Sequence, residues 1–440
     1  MNKLQLYTAF FCLVWFSAKI TAQEMLPKEQ AILLTLENNF DIKVASNFLQ
    51  MAENNAQILN SGFLPIITGI AGVEYSNQNQ EATFQSGEVG AIRGAETDRY
   101  NASVNLDYTI FDGLGRRYTY KSLKEQRDLS QLEVRETIEV TMLQLFTVYY
   151  EVARLTENVS VLEETLSNTK DRLKRAEYQF EYGQTSRLEV LNAQVDITTD
   201  SVNLMNARQQ LANAKRDLNV VMNTDLERQI KVDTMVKFVN TLVIETFLKE
   251  AEANNVTLLQ AEQNIKVSDY NKKASKAVFL PSLGLTGTYG WNEGNFPETN
   301  FLASSTSYGF TGGLNLTWNL FDGGRGITNV KNAKIEYDNQ VLLKEQLKVQ
   351  VKRNIANAYG NYQNRLAIFH LQQQNVITTQ NNFERSNEQY KIGQISSLEL
   401  RQAQINLLNA QTTKNLAKYE AKLAELEVLQ LTGQLLSVDF

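Results

Sequence analysis

Two short segments carry the same residue types in the same order: Tyr182-Gly183-Gln184-Thr185-Ser186-Arg187-Leu188-Glu189 and Ile392-Gly393-Gln394-Ile395-Ser396-Ser397-Leu398-Glu399. Glycine accepts the left-handed backbone that ends a helix, where other residues are strained. Ser186 and Ser396 are suited to cap a following helix, and Glu189 and Glu399, three residues on, complete the pattern of a capping box. The chemistry on offer is hydrogen bonding at a tight helix-to-helix turn. An exposed leucine beside such a turn, Leu188 or Leu398, is a knob that a partner's hole can take.

Catalytic chemistry is hard to assemble from the remainder. His370 is the only histidine, placed just before Gln372, Gln373 and Gln374, which is a solvated setting. The only cysteine, Cys12, follows Phe10 and Phe11 inside an apolar stretch, without the small residue that precedes a lipidated cysteine. No nucleophile elbow, phosphate loop or histidine metal motif occurs. The sequence therefore predicts no enzyme, no cofactor and no metal site. The formal charge is −6, with no concentrated basic stripe, so nucleic acid is not expected as a partner.

These turns must be positioned by something long, because the chain repeats itself at long period. Asn38-Asn39 recurs as Asn254-Asn255, and Phe63-Leu64-Pro65 as Phe279-Leu280-Pro281, each 216 residues on. Phe111-Asp112-Gly113 recurs as Phe321-Asp322-Gly323, and Gly183-Gln184 as Gly393-Gln394, each 210 residues on. The first copy thus has six extra residues between its two tripeptides. Between the tripeptides the pattern alternates with period two, as strands do. Ile67, Ala71, Val73 and Tyr75 share a face, as do Val104, Leu106, Tyr108 and Ile110. The second copy repeats this with Leu283, Leu285, Tyr289 and Trp291, then Leu314, Leu316, Trp318 and Leu320. Polar loops are expected over residues 76–98 and 292–307.

Helix accounts for most of the rest. Residues 114–182 contain no proline and, after Gly115, no glycine, enough for a helix of about 100 Å. Its apolar residues, among them Leu145, Val152, Leu155, Leu166, Ala176 and Phe180, step by three and four as a coiled-coil seam does. A similar helix is expected over 325–391, with Ile355, Ala358, Tyr362 and Phe369 in its seam. After the first glycine turn, Leu188, Leu191, Val195, Val202 and Met205 give the returning helix its seam. The expected organisation is a signal peptide over 1–22, a first repeat over 23–223, a connector over 224–243 and a second repeat over 244–440. The signal rests on Lys3, the apolar run 4–18 and Ala22. No later stretch has about 18 uninterrupted apolar residues, so any membrane crossing falls to strands. Four strands cannot close in lipid, which calls for several chains.

The signal, the doubled strand-strand-helix-helix plan, the two junction tripeptides and the glycine turns together resemble the TolC family of outer-membrane efflux and secretion channels. The resemblance spans essentially the whole mature chain. It implies a mixed α and β membrane protein: a trimeric 12-stranded transmembrane β-barrel, four strands per chain, continuing into a long α-helical periplasmic tunnel of coiled-coil helices. Such a homotrimer sits in the lipid of the outer membrane of a Gram-negative bacterium, with a large periplasmic part. It serves as the exit duct of a tripartite efflux pump or type I secretion system, conducting passively from an inner-membrane transporter and a periplasmic adaptor protein. The resemblance assigns adaptor docking to Gly183, Thr185, Ser186, Leu188, Gly393, Ile395, Ser396 and Leu398. It assigns the periplasmic entrance to Glu399 and Gln402, the latter standing where some members carry aspartate. The competing reading is a trimeric coiled-coil surface adhesin or structural envelope protein, which calls for longer unbroken heptads and a single strand region.

Overall fold

The computed structural model describes residues 24–297 and 300–437, so the expected signal segment and Cys12 lie outside it. The leading part of each copy is a pair of helices. In the first copy α1 (Lys28–Asn38) gives way to α2 (Phe40–Asn55) at Asn39. The buried Asn39 side chain accepts from the backbone N–H of Asp41 at 2.9 Å and donates to the Val221 carbonyl at 3.0 Å. It caps one helix while satisfying a carbonyl at the end of another, two needs that helix termini always leave open.

Past Pro65 the chain forms β2 (Ile66–Thr83) and β3 (Val89–Asp112), following the short β1 (Glu24–Leu26). Then come the long α3 (Gly115–Glu181) and its return, α4 (Arg187–Val221). At its 67 residues, α3 is about 100 Å long. A short strand, β4 (Ile230–Val232), pairs in parallel with β1. The second copy repeats the order: α5 (Thr241–Asn254), α6 (Val256–Ser275), β5 (Ser282–Asn295), β6 (Ser304–Thr317), α7 (Arg325–Lys391) and α8 (Ser397–Leu431). Asn255 repeats the role of Asn39: it accepts from the Leu258 N–H at 3.0 Å and donates to the Leu431 carbonyl at 2.8 Å.

The four longer strands make one antiparallel sheet in the order β2-β3-β5-β6, leaving β2 and β6 as edges. Its register separates two faces. One carries rows such as Gly69, Val104, Tyr289, Phe310 and Ala71, Ala102, Trp291, Tyr308. The other carries rows such as Thr68, Asn105, Thr288 and Thr311, with Thr288 donating to Asn105 at 2.9 Å.

Three expectations about the strands need correction. Residues 76–83 and 89–98 are paired strand, not loop, and the connection is only residues 84–88. Likewise 292–295 and 304–307 belong to β5 and β6. Residues 76–81, 292–295 and 304–307 carry no apolar side chain on either face, so alternation gives no signal there although the backbone ladder continues. Ile110 does not continue the alternation as a paired residue: the β3–β5 register shifts between Thr109 and Phe111, so Ile110 is the extra residue of a bulge and Phe111 stands opposite Leu283. Trp318 and Leu320 lie beyond the end of β6; the Trp318 indole donates to the Phe279 carbonyl at 3.2 Å.

The Phe-Asp-Gly junctions turn strand into helix. The Asp112 carboxylate accepts from the Arg116 backbone N–H at 2.8 Å, and Asp322 accepts from those of Gly326 and Gly324 at 2.7 and 3.0 Å. Gly113 and Gly323 supply left-handed backbone, with φ of +71° and +75°.

The chain divides into two compact units. One comprises residues 47–132 and 260–346 and contains the sheet. The other comprises residues 24–46, 133–259 and 347–437 and holds the largest apolar core, including Met142, Leu145, Phe146, Val152, Leu218 and Leu426. In this second unit the segment after β4 is strapped onto the helices. Lys28 donates to the Met235 carbonyl at 3.1 Å, Lys422 to Lys237 at 2.8 Å, and Glu425 accepts from the Val239 N–H at 2.9 Å.

Candidate docking tips and entrance

Both turns close the same way. Gln184 N–H donates to the Gln179 carbonyl at 2.7 Å and Gly183 N–H to Phe180 at 3.0 Å; Gln394 and Gly393 repeat this with Gln389 and Tyr390 at 2.9 and 3.1 Å. That pair of bonds requires the left-handed residue supplied by Gly183 and Gly393. Leu188 and Leu398 stand out from the protomer at 64% and 76% exposure. Thr185 and Ile395 are half-buried beside them.

The capping expectation holds for one turn and fails for the other. Ser396 accepts from the Glu399 N–H at 3.3 Å, and the Glu399 carboxylate accepts from the Ser396 N–H at 2.8 Å. The backbone and hydroxyl of Ser396 together hold the Glu399 carboxyl below its usual range. Ser186 stands at the N-cap with no side-chain cap bond. Its expected partner, Glu189, accepts a hydrogen bond from the Ser397 hydroxyl instead. The first copy has Arg187 where the second has Ser397, so only the second turn offers this extra hydroxyl, and Glu189 takes it. The two turns are thereby joined. Glu399 and Gln402 are both exposed, and Gln402 donates to Asn406 at 2.9 Å.

Behind the turns lies a buried ionic cluster that sequence reading did not single out. Arg401 grips Asp200 with both guanidinium ends, at 2.7 and 2.9 Å. Thr169 donates to the same carboxylate at 2.7 Å, and Gln404 accepts from Arg401 at 3.0 Å while donating to the Thr165 carbonyl at 3.0 Å. Arg172 pairs with Asp196 alongside. The cluster ties α3 and α4 of the first copy to α8 of the second.

The expected α4 seam is also corrected. Leu188, Leu191, Val195, Val202 and Met205 are exposed, and α4 packs instead through Ala193, Asp200, Leu204, Ala207, Ala214 and Leu218. The side buried within the chain is the one carrying small residues and the ionic cluster. The α3 seam is buried at Leu145, Val152, Leu155, Leu166 and Ala176 but not at Phe180, which is exposed, and the α7 seam is buried at Ile355, Ala358, Tyr362 and Phe369. His370 is exposed.

A sheet with one apolar and one polar face, feeding helices of about 100 Å that end in capped turns, defines the class of outer-membrane channel proteins. The chain belongs to the outer membrane efflux protein family, whose description matches residues 31–224 and 247–434. It is similar to the "Probable outer membrane lipoprotein SilC" of Salmonella typhimurium, with 22% identity over 407 residues, 90% of this chain and 84% of that protein. To the outer membrane protein TolC of Escherichia coli strain K12 it is 22% identical over 384 residues, 85% of this chain and 76% of that one. The solved Campylobacter jejuni CmeC outer membrane channel has the same fold, with a TM-score of 0.75 at 20% identity, over 93% of this chain and 86% of that chain. Membership places the protein in the outer membrane of a Gram-negative bacterium, among channels rather than enzymes.

Proposed function

We propose that three copies close their sheets into a twelve-stranded barrel and their helices into a tunnel, forming the exit duct of a tripartite efflux pump or type I secretion system. The observation that carries this is the sheet: among the described residues its edges β2 and β6 pair with no further strand, and one face is apolar. In lipid an open edge leaves backbone groups unsatisfied, so the sheet must close on further copies. Two copies give eight strands and a filled interior, whereas three give twelve and leave room to conduct.

The helices support the same closure. Within the second unit α4 flanks α3, through Asp200 on Thr169, and α7 flanks α8, through Tyr362 on Glu425. Bonds from Asn415 to Asn158 and Lys418 to Glu157 join α8 to α3, leaving α4 and α7 as the outer members. Exposed Val202 and Met205 on α4 stand about as far from their turn as exposed Leu371 and Ile377 on α7 do from theirs. They are the faces that neighbouring copies bury. Substrate then passes from an inner-membrane transporter through a periplasmic adaptor into the tunnel.

Gly183, Thr185, Ser186 and Leu188, with Gly393, Ile395, Ser396 and Leu398, form the adaptor-docking turns. Glu399 and Gln402 face the periplasmic entrance. Changing Leu188 and Leu398 together to Asp puts charge into an apolar contact, which costs several kcal/mol and breaks a modest interface. Export should stop while the protein still reaches the outer membrane. Unchanged export with normal adaptor crosslinking would reduce these segments to turns.

A further inference from the structure

The helical layer next to the sheet is polarised across its thickness. In the unit that holds the sheet, helix α3 bonds to α6 on one side and to residues 62–63 on the other. Ser122 donates to Asn271 of α6 at 2.7 Å and Glu125 accepts from Gln263 of α6 at 3.0 Å, whereas Arg116 donates to the Gly62 carbonyl at 2.7 Å and Tyr120 meets Phe63. At about 100° per residue these contact faces lie nearly opposite each other, leaving two free faces. Arg117, Lys121 and Lys124 share one, and Thr119, Gln126 and Ser130 share the other.

The neighbouring helices divide in the same way. One free face of α6 carries Lys266, Tyr270 and Lys273, and the opposite one Asn264, Ser268 and Ser275. Lys121 and Lys273 stack on the same Tyr270 ring, at 5.5 and 5.1 Å, so the basic faces of α3 and α6 look out on one side. On α7, Tyr337 meets Lys272 at 3.5 Å and marks the contact with α6. A quarter turn round from it, on the side of the other lysines, stand Lys331 and Lys334. The far side of α7 bears Asn329 and Asn332, with Arg325 and Glu336 cancelling in sign.

Few acids answer these cations. Asp269 is engaged by Lys272 and Lys273 at 2.9 and 2.6 Å, Asp128 by Arg127 at 2.6 Å and Glu262 by Lys344 at 3.4 Å, which leaves Glu53 on α2 and, on α7, Asp338 and the more distant Glu345. A chain with a formal charge of −6 therefore gathers a positive girdle here. Its height suits a membrane surface. Arg117 lies about 8 Å along α3 from the last residue of β3, and Lys273 about 10 Å from Leu280, within the polar headgroup zone and the screening length beyond it. Exposed Phe279, Trp318 and Phe321 stand between the girdle and the apolar sheet face, the order of aromatics and cations that membrane proteins show at a lipid surface.

We propose that this girdle binds the anionic phospholipid headgroups of the periplasmic leaflet. The proposal rests on the barrel reading above, which makes the apolar sheet face the lipid face. Lys121, Lys273 and Lys331 hold phosphate groups by charge, and Tyr270 fixes two of the ammonium groups in place. The amide and hydroxyl side of the layer, where Arg325 and Glu336 cancel in sign, is left to the lumen.

The test uses the purified full-length protein in nanodiscs containing phosphatidylcholine and phosphatidylglycerol in equal amounts, followed by native mass spectrometry of the retained lipid. Wild type should prefer phosphatidylglycerol about tenfold at low salt. Combined Arg117→Gln, Lys121→Gln, Lys273→Gln and Lys331→Gln should lower the preference to about unity, while Lys→Arg and Arg→Lys exchanges at the same positions keep it. Equal retention of both lipids by wild type would overturn the proposal. So would a Gln variant that keeps the preference, or one that shifts ion selectivity in pure phosphatidylcholine bilayers, since the cations would then line the lumen. Failure of the barrel reading shows separately, as wild type that carries no current in those bilayers.

Discussion

Glu189 and Glu399 hold matching places in the two copies yet bond differently, one across to Ser397 and the other back to Ser396. Only Glu399 is exposed. In a threefold assembly three such carboxylates would ring the entrance, and their field is strongest at low ionic strength. Glu399→Gln keeps the size and removes the charge, so a multivalent cation added from the periplasmic side should block single channels less well, with assembly intact. Glu189→Gln serves as the control and should leave the block unchanged. Arg401 and Asp200 call for a different experiment. Arg401→Ala leaves a buried carboxylate without its cation, a loss of about 3–5 kcal/mol. Hydrogen exchange in α4 should rise accordingly, and Arg401→Leu combined with Asp200→Leu should recover most of the protection. Exchange as slow in Arg401→Ala as in wild type would mean that the cluster does not hold the two hairpins together.

At the scale of elements, the paired glycines of the Phe-Asp-Gly junctions are not equivalent. Both have positive φ, which costs another residue about 1–2 kcal/mol. A Cβ at Gly113 would also come within 2.7 Å of the Ala277 carbonyl and 2.9 Å of the Leu280 Cβ, whereas one at Gly323 meets nothing within 4 Å. Gly113→Ala should therefore lower the temperature at which the folded protein loses its compact gel mobility by more than Gly323→Ala does. Much of the fold was legible in such marks. The two asparagine pairs, the Phe-Asp-Gly tripeptides and the glycine turns each stand where a helix starts or stops, because a cap demands one residue type at one place. Strand length was not legible beyond residue 76, where both faces are polar and alternation carries no information. The Arg401–Asp200 pair was hidden for another reason. At the 210-residue offset Arg401 matches Leu191 and Asp200 matches Ala410, so a reading built on what the copies share passes over it. The basic girdle escaped notice because its cations come from three helices far apart in sequence, and only packing gathers them.

For the whole molecule, closure is the central claim, because every proposed role depends on it. Among the described residues the edges of β2 and β6 are unpaired, and α4 and α7 carry exposed apolar side chains; in the proposed assembly further copies of the chain cover all of these. The polar sheet face is lined by small hydroxyl and amide groups such as Thr68, Asn105, Thr288 and Thr311. The most direct measurement is native mass spectrometry of the detergent-extracted protein, made on the same preparation that is recorded in planar bilayers. A single species of three protomers that conducts ions is the predicted result. A stable monomer or dimer that conducts equally well would contradict the account, because the edges of its sheet would then have found some other way to close.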